Sequence, residues 1–232
     1  MANNVLLKYK STFFPVLGHD FSQKDFCPIP LSKGHRKLIG HDVSTYEGLD
    51  FYVNAIKEEA NCTVAYGGYG EERTIYKTST HFNSDNINNE NERCIHLGID
   101  LWTAAETPVY TPLDGIIHSL KYNANHLDYG GTIITEHRIE GHVFWLLFGH
   151  LSVKSLNFHA KKQKILRGDK IGELGNRTEN GGWSPHLHLQ MITELRGCEG
   201  DFQGVASRKE AAEMLTICPS PAVFCGNFCK YW

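Results

Sequence analysis

The 232-residue chain predicts a mainly β protein: an antiparallel sheet core, barrel-like or sandwich, with an N-terminal α+β extension and a short C-terminal helix. Two observations carry the β core. From Ile95 onward, apolar runs of strand length occupy 108–112, 113–120, 132–136 and 142–148. Turn signals at Asp114-Gly115, Tyr129-Gly130-Gly131 and Glu140-Gly141 separate them, the pattern of hairpins rather than of βαβ units. A third observation adds the helices, since helical spacing occurs once before the β region and once near the C-terminus. With 41% hydrophobic and 21% charged residues, the chain can bury a sizeable core.

Taken in order, residues 1–40 hold Phe13-Phe14-Pro15-Val16-Leu17 and Pro28-Ile29-Pro30-Leu31 without a clear period, and read as an extended arm with short strands. Ser44-Thr45-Tyr46-Glu47 resembles a capping box. Leu49, Tyr52, Val53, Ile56 and Ala60 then give one amphipathic helix ending near Asn61, with Lys57, Glu58 and Glu59 toward water. Residues 63–66 read as a strand and 74–76 as another. Between them, Gly67-Gly68-Tyr69-Gly70-Glu71-Glu72-Arg73 is a glycine-rich turn that lacks the Lys-Ser or Lys-Thr of a phosphate loop. Arg73 has two readings, an exposed salt bridge or a cation that holds a substrate carboxylate or phosphate. The Asn-rich stretch 84–93 has the composition of a mobile loop that forms a wall or lid. Residues 164–175 read as a tight strand pair and 208–215 as the C-terminal helix. The chain thus divides into an N-terminal extension (1–92), a core (93–195) and a C-terminal extension (196–232).

The chemistry concentrates in Trp183-Ser184-Pro185-His186-Leu187-His188-Leu189. Alternate strand residues share a face, so His186 and His188 project together while Leu187 and Leu189 enter the core. Upstream, His96-Leu97-Gly98-Ile99-Asp100 sets an imidazole and a carboxylate four residues apart, with Gly98 allowing the backbone to bend so that both reach one point. Two imidazoles and one carboxylate suit zinc and leave one tetrahedral position open. His150, at the end of the apolar run 143–148, reaches the rim of a sheet. The remaining histidines lie in turns or on polar strand faces as solvated or hydrogen-bonded residues.

In that order, H-x-x-x-D, G-H-L-S (Gly149–Ser152), G-D-K-I-G (Gly168–Gly172) and P-H-L-H resemble the lysostaphin-type zinc metallopeptidases, which cut glycyl bonds or peptide cross-links of bacterial cell walls. The resemblance spans about Arg93 to Met191. It implies that His96, Asp100 and His188 bind Zn2+, while His150 and His186 face the activated water and the substrate oxygen. It also implies hydrolysis of a peptide or peptide-like amide by a metal-activated water, with the two histidines sharing the acid–base work. A longer match, in Asp128-Tyr129-Gly130-Gly131, 179–183 and 200–206, is to the lysostaphin-like domain found between kinase-like and aminotransferase domains in some multidomain proteins. By analogy alone this suggests an aminotransferase or kinase-like partner. The sequence departs from the cell-wall enzymes at Phe148, where they often carry tyrosine, and at Ser184, where they often carry glycine. Two alternatives stand beside the peptidase: a hydrolase of a small cytoplasmic amide or ester, and a noncatalytic metal-binding or interaction module.

A net charge of −3 gives no nucleic-acid footprint and no polybasic membrane anchor. No window approaches the ~20 apolar residues of a membrane span, and the N-terminus, with lysines in its short apolar stretch, is a poor signal peptide. These features point to a cytoplasmic protein. The seven cysteines, at 27, 62, 94, 198, 218, 225 and 229, form no disulfide framework and read as free thiols.

Overall fold

The computed structural model describes residues 2–76 and 90–226. Along these residues the strands are β1 (Phe26–Pro28), β2 (Val64–Gly67), β3 (Arg93–His96), β4 (Ile99–Trp102), β5 (Pro108–Tyr110), β6 (Gly115–Asn123), β7 (Gly130–Ile139), β8 (His142–Leu151), β9 (Lys164–Ile165), β10 (Lys170–Glu173), β11 (His186–Ile192) and β12 (Val205–Ser207). The α-helices are α1 (Ala2–Tyr9), α2 (Tyr46–Ala60) and α3 (Ala211–Ile217). The protein is mainly β, as the hairpin pattern predicts.

Eight strands form one sheet in the order β1-β2-β4-β11-β8-β7-β6-β9, accompanied by two-stranded sheets of β5 with β10 and β3 with β12. Neighbours in the large sheet are antiparallel except β1 and β2, which run parallel. The sheet is open rather than closed into a barrel. Its edges, β1 and β9, are only three and two residues long, which limits the unpaired backbone they expose. The β7–β8 hairpin turns through Glu140 and Gly141, both at positive φ (45° and 81°), matching strand twist as a type I′ turn does.

Period-two alternation separates two faces. Leu187, Leu189 and Met191 of β11 join Ile99, Leu101, Leu146 and Phe148 in the main apolar cluster, while His186, His188 and Gln190 take the other face. That face is covered in part by α2. Thr45 caps the helix, its Oγ1 accepting from the Gly48 amide at 3.1 Å, and Asn61 ends it in the left-handed conformation at φ 49°. The cap therefore sits one residue beyond the Ser44 of the expected box, and glycine stands where the box needs its glutamate. Leu49, Tyr52, Val53 and Ile56 are buried as predicted, each contributing about 2 kcal/mol. They pack with Trp102 and Trp183 in a second cluster, whereas Ala60 is exposed.

Several expectations are corrected. The arm 1–40 begins with helix α1, held by burial of Leu6 in the main core; an isolated eight-residue helix is too short to be stable by itself, so its formation depends on that packing. Residues 74–76 form a turn, and Arg73 makes an isolated bridge to Ser32. The 164–175 segment is not a strand pair: β9 joins β6 while β10 joins β5. The C-terminal helix begins at Ala211 rather than 208. Cys27 and Cys62 form a disulfide, their Cα atoms 6.0 Å apart, because parallel pairing sets Cys27 across from Ala65, just after Cys62. Cys94, Cys218 and Cys225 are buried and Cys198 is half-buried. Most of the Asn-rich stretch, together with His81 and Cys229, lies outside the described residues.

Candidate functional site

Strand register assembles the site. Asp100 lies directly across the β4–β11 ladder from His188, and Trp102 across from His186. β3 ends at His96 and turns through Leu97-Gly98 into β4. Gly98 serves close approach rather than bending alone, because a Cβ there would lie 2.6 Å from the Leu189 carbonyl oxygen and 2.7 Å from His188 Nε2. His96 Nε2 then stands 3.0 Å from His188 Nδ1 and 3.3 Å from Asp100 Oδ1, with 3.1 Å between Asp100 Oδ1 and His188 Nδ1. Donor atoms held tetrahedrally about 2.0–2.1 Å from a zinc ion are about 3.3 Å apart. The three atoms are therefore spaced for one shared cation, and they are the group of metal-capable side chains found among the described residues.

Each imidazole has its tautomer set by a partner behind it. His96 Nδ1–H donates to the Gly68 carbonyl at 2.9 Å, leaving Nε2 unprotonated toward Asp100. His188 faces the centre through Nδ1, so its Nε2–H donates to Gln190 Oε1 at 3.0 Å. Gln190 is oriented in turn by donation from its amide nitrogen to the Gln203 carbonyl at 3.0 Å. Such outer partners fix ring orientation and make the ligating nitrogen more basic. The Tyr129 hydroxyl is also 3.4 Å from His188 Nε2 and 3.4 Å from Gln190 Oε1. A hydroxyl thus reaches the site from the loop before β7, although Phe148 points into the apolar core.

His150 and His186 sit beside this group, ring centroids 4.2 Å apart. His186 Nε2 is 3.8 Å from Asp100 Oδ1, its Nδ1–H donates to the Ser184 carbonyl at 2.7 Å, and its ring stacks on Trp102. His150 occupies the left-handed region at φ 62°, a strained backbone worth about 1–3 kcal/mol. The strain is held by its amide donating to Tyr129 at 2.7 Å and its carbonyl accepting from Gly175 at 2.8 Å. Its ring Nδ1–H donates to the Asn180 carbonyl at 2.9 Å. The fully buried Asn180 side chain organises the preceding loop, accepting from the Gly182 and Trp183 amides and donating to the Trp183 and Gly175 carbonyls.

Electrostatics keep the rings of His96, His150 and His186 neutral. Burial pushes His96 down to about 4, helped by the neighbouring Arg73 charge. Burial and His186 hold His150 well below the ordinary histidine range, and burial lowers His186 although Asp100 opposes it. Burial by itself would raise Asp100, but His96 and Arg73 outweigh it and hold the carboxyl well below the usual carboxylate range. The site thus pairs one firmly ionised carboxylate with imidazoles whose lone pairs are available. Arg73 is buried at 2% exposure, which corrects the expected exposed salt bridge, and donates to Asp100 Oδ2 at 2.6 Å.

The five residues picked out from sequence, His96, Asp100, His150, His186 and His188, line one cavity of about 510 Å³. Sequence reasoning missed Gln190, Asn180, Tyr129 and the burial of Arg73. Gln190 continues the two-residue alternation of His186 and His188 and was findable from it; Asn180 carried no local signal. Leu49, Ile75 and Tyr76 from the N-terminal extension and 202–205 from the C-terminal one add further wall to the cavity.

Part of the chain matches known proteins. Residues 94–199 match the model of Peptidase family M23. A stretch of 101 residues is 34% identical to the peptidoglycan DD-endopeptidase ShyA of Vibrio cholerae serotype O1 (strain ATCC 39315 / El Tor Inaba N16961), covering 44% of this chain and 21% of that protein. The chain thus spans about a fifth of that relative's length. Among solved structures it is similar to a zinc-containing peptidase from Vibrio cholerae, with 22% identity over 53% of this chain and 34% of that one at a TM-score of 0.37. It is also similar to the catalytic domain of lysostaphin from Staphylococcus simulans, with 18% identity over 64% of this chain and 90% of that one at a TM-score of 0.39. The segment that matches Peptidase family M23, residues 94–199, holds all five of the histidine and aspartate side chains just described.

Proposed function

We propose that the chain is a zinc-dependent metallopeptidase that hydrolyses a peptide or peptide-like amide bond. The observation that carries this reading is the convergence of His96 Nε2, Asp100 Oδ1 and His188 Nδ1 within 3.0–3.3 Å of one another, with two further neutral imidazoles beside them. His96, Asp100 and His188 would hold the ion. Zinc with one open position supplies Lewis acidity, lowering the pKa of a water toward about 7 and polarising a carbonyl.

The remaining work belongs to the chain. His150 and His186 each commit Nδ1–H to a backbone carbonyl, so Nε2 is the basic nitrogen of both. A neutral imidazole so placed accepts the proton released as water attacks the scissile carbonyl and returns it to the leaving amine. While protonated, it also faces the developing oxyanion with positive charge.

The substrate class we put first is a peptide cross-link of peptidoglycan, because the 34% identical relative is a peptidoglycan DD-endopeptidase. The Cys27–Cys62 disulfide favours an oxidising compartment, where such a substrate is met. A second reading, a small amide, is favoured by the walls that residues outside 94–199 add to the cavity. Cell fractionation decides between wall and cytoplasm.

The test is zinc content and cleavage of glycine-rich peptides and wall fragments by wild type, His188→Ala and His150→Ala. We expect about one zinc per chain in wild type, loss of metal in His188→Ala, and retained metal without cleavage in His150→Ala. Zinc binding with no wall peptide cut moves the assignment to the small amide or to a noncatalytic module. Absence of metal binding by wild type overturns the proposal.

A further inference from the structure

One buried charge has no part in the chemistry above. Arg73 comes from the glycine-rich turn, outside the family-matched segment, and every side of its guanidinium is occupied. Nη1 donates to Asp100 Oδ2 at 2.6 Å, Nε to Glu71 Oε2 at 2.9 Å, and Nη2 approaches the Gly67 carbonyl at 3.5 Å. The guanidinium carbon lies 5.6 Å from the Trp102 ring centroid. Its place is made for it, since a Cβ on Gly68, at φ 98°, would lie 1.8 Å from Nη2. Glu71 is itself held, its Oε1 accepting from the Leu31 amide at 2.8 Å and from Ser32 Oγ at 2.7 Å. Burying a guanidinium is unfavourable unless partners meet its donors in good geometry, and here two carboxylates and a backbone oxygen do so.

The two oxygens of Asp100 therefore face different groups. Oδ1 faces His96 Nε2 and His188 Nδ1, whereas Oδ2 faces Arg73. We infer that Arg73 is a positioning residue that occupies Asp100 Oδ2, so that the carboxylate offers a metal Oδ1 alone, with the N-terminal arm aiming the guanidinium through Glu71. This rests on the metal-centre reading given above. Carboxylates bind cations through one oxygen or both. A freed Asp100 that used both would crowd the position a substrate carbonyl needs. Arg73 also keeps Glu71 and Asp100 from facing each other as two uncompensated buried carboxylates. A direct grip on substrate does not suit Arg73, because its donors already point at Asp100, Glu71 and Gly67.

The experiment uses the full chain as wild type, Arg73→Met, Arg73→Lys and Glu71→Gln. Zinc affinity is measured by chelator competition, coordination from the visible spectrum of the cobalt(II)-loaded protein, and folding from far-UV circular dichroism. In Arg73→Met we expect zinc affinity to fall about 10–100-fold and the cobalt spectrum to shift to the weaker bands of higher coordination. Arg73→Lys restores part of both, because an ammonium keeps the charge but loses the planar fork. Glu71→Gln shifts both in the same direction by less. If Arg73→Met does not fold, the lysine and Glu71 variants carry the test. Folded variants with wild-type zinc affinity and superimposable cobalt spectra overturn the inference and leave the metal centre standing. Variants altered only in substrate KM overturn it in favour of a substrate contact. A wild type that binds neither metal overturns the underlying reading instead.

Discussion

Replacing Asn180 with alanine tests how the loop before β11 aims His150. The side chain is fully buried and makes four hydrogen bonds, at 3.3, 2.9, 3.1 and 2.9 Å, to the backbone of Gly175, Trp183 and Gly182. Setting aside the longest and taking about 1 kcal/mol for each of the others, the loss is about 3 kcal/mol of folding free energy. The same substitution loosens the Asn180 carbonyl that accepts from His150 Nδ1, so the imidazole loses its fixed tautomer and direction. Urea unfolding of the metal-free protein reads the first effect. The second appears as a fall in kcat on a peptide that wild type cleaves, with zinc content unchanged, because His96, Asp100 and His188 take their hydrogen bonds from one another and from Gly68, Arg73, Tyr129 and Gln190 rather than from Asn180. A stability loss below about 1 kcal/mol with kcat intact refutes the argument that Asn180 organises the site.

Gly98→Ala puts a Cβ 2.6 Å from the Leu189 carbonyl oxygen and 2.7 Å from His188 Nε2. We expect about 1–3 kcal/mol of overpacking destabilisation and at least about a tenfold loss of zinc affinity, read by urea unfolding and chelator competition. Burial pushes His137, which lies away from the metal group, down to about 4 from an ordinary 6.5. The unfolded chain therefore binds the extra proton between these values, so stability is full above pH 6.5 and falls on acidification toward pH 4, by about 3 kcal/mol from this residue. Urea unfolding at several pH values shows a shallower acid slope in His137→Phe if this is right. Removing the Cys27–Cys62 disulfide, which closes a separation of 35 residues, should lower stability by about 3–4 kcal/mol on loop entropy. An unchanged unfolding midpoint in Cys27→Ala/Cys62→Ala counts against the bond.

Much of the site was legible because its pieces are local patterns. His186 and His188 share a face by strand alternation alone, and His96 and Asp100 are four residues apart. The role of each of the two histidines depends on register, since Asp100 lies across from His188 and Trp102 across from His186. Arg73 and Asp100 meet across 27 residues with the Asn-rich stretch between them, and no periodicity announces such a contact. Helix α1 and the separate pairings of β9 and β10 were missed for a related reason. Short segments take their structure from the surface they join rather than from their own propensity.

The sequence by itself determined the β character of the chain, the amphipathic face of α2 and the set of residue types able to hold a cation. Each follows from backbone geometry and from side-chain chemistry over a few neighbouring residues. The tertiary structure decided which atoms of those residues meet. The acceptors behind His96 and His150 come from Gly68 and Asn180, the partner that divides the oxygens of Asp100 comes from Arg73, and the disulfide joins the arm to the end of α2. These contacts join segments far apart in the chain, so they exist only once burial has brought the segments together and made each unpaired polar group too unfavourable to leave unmet.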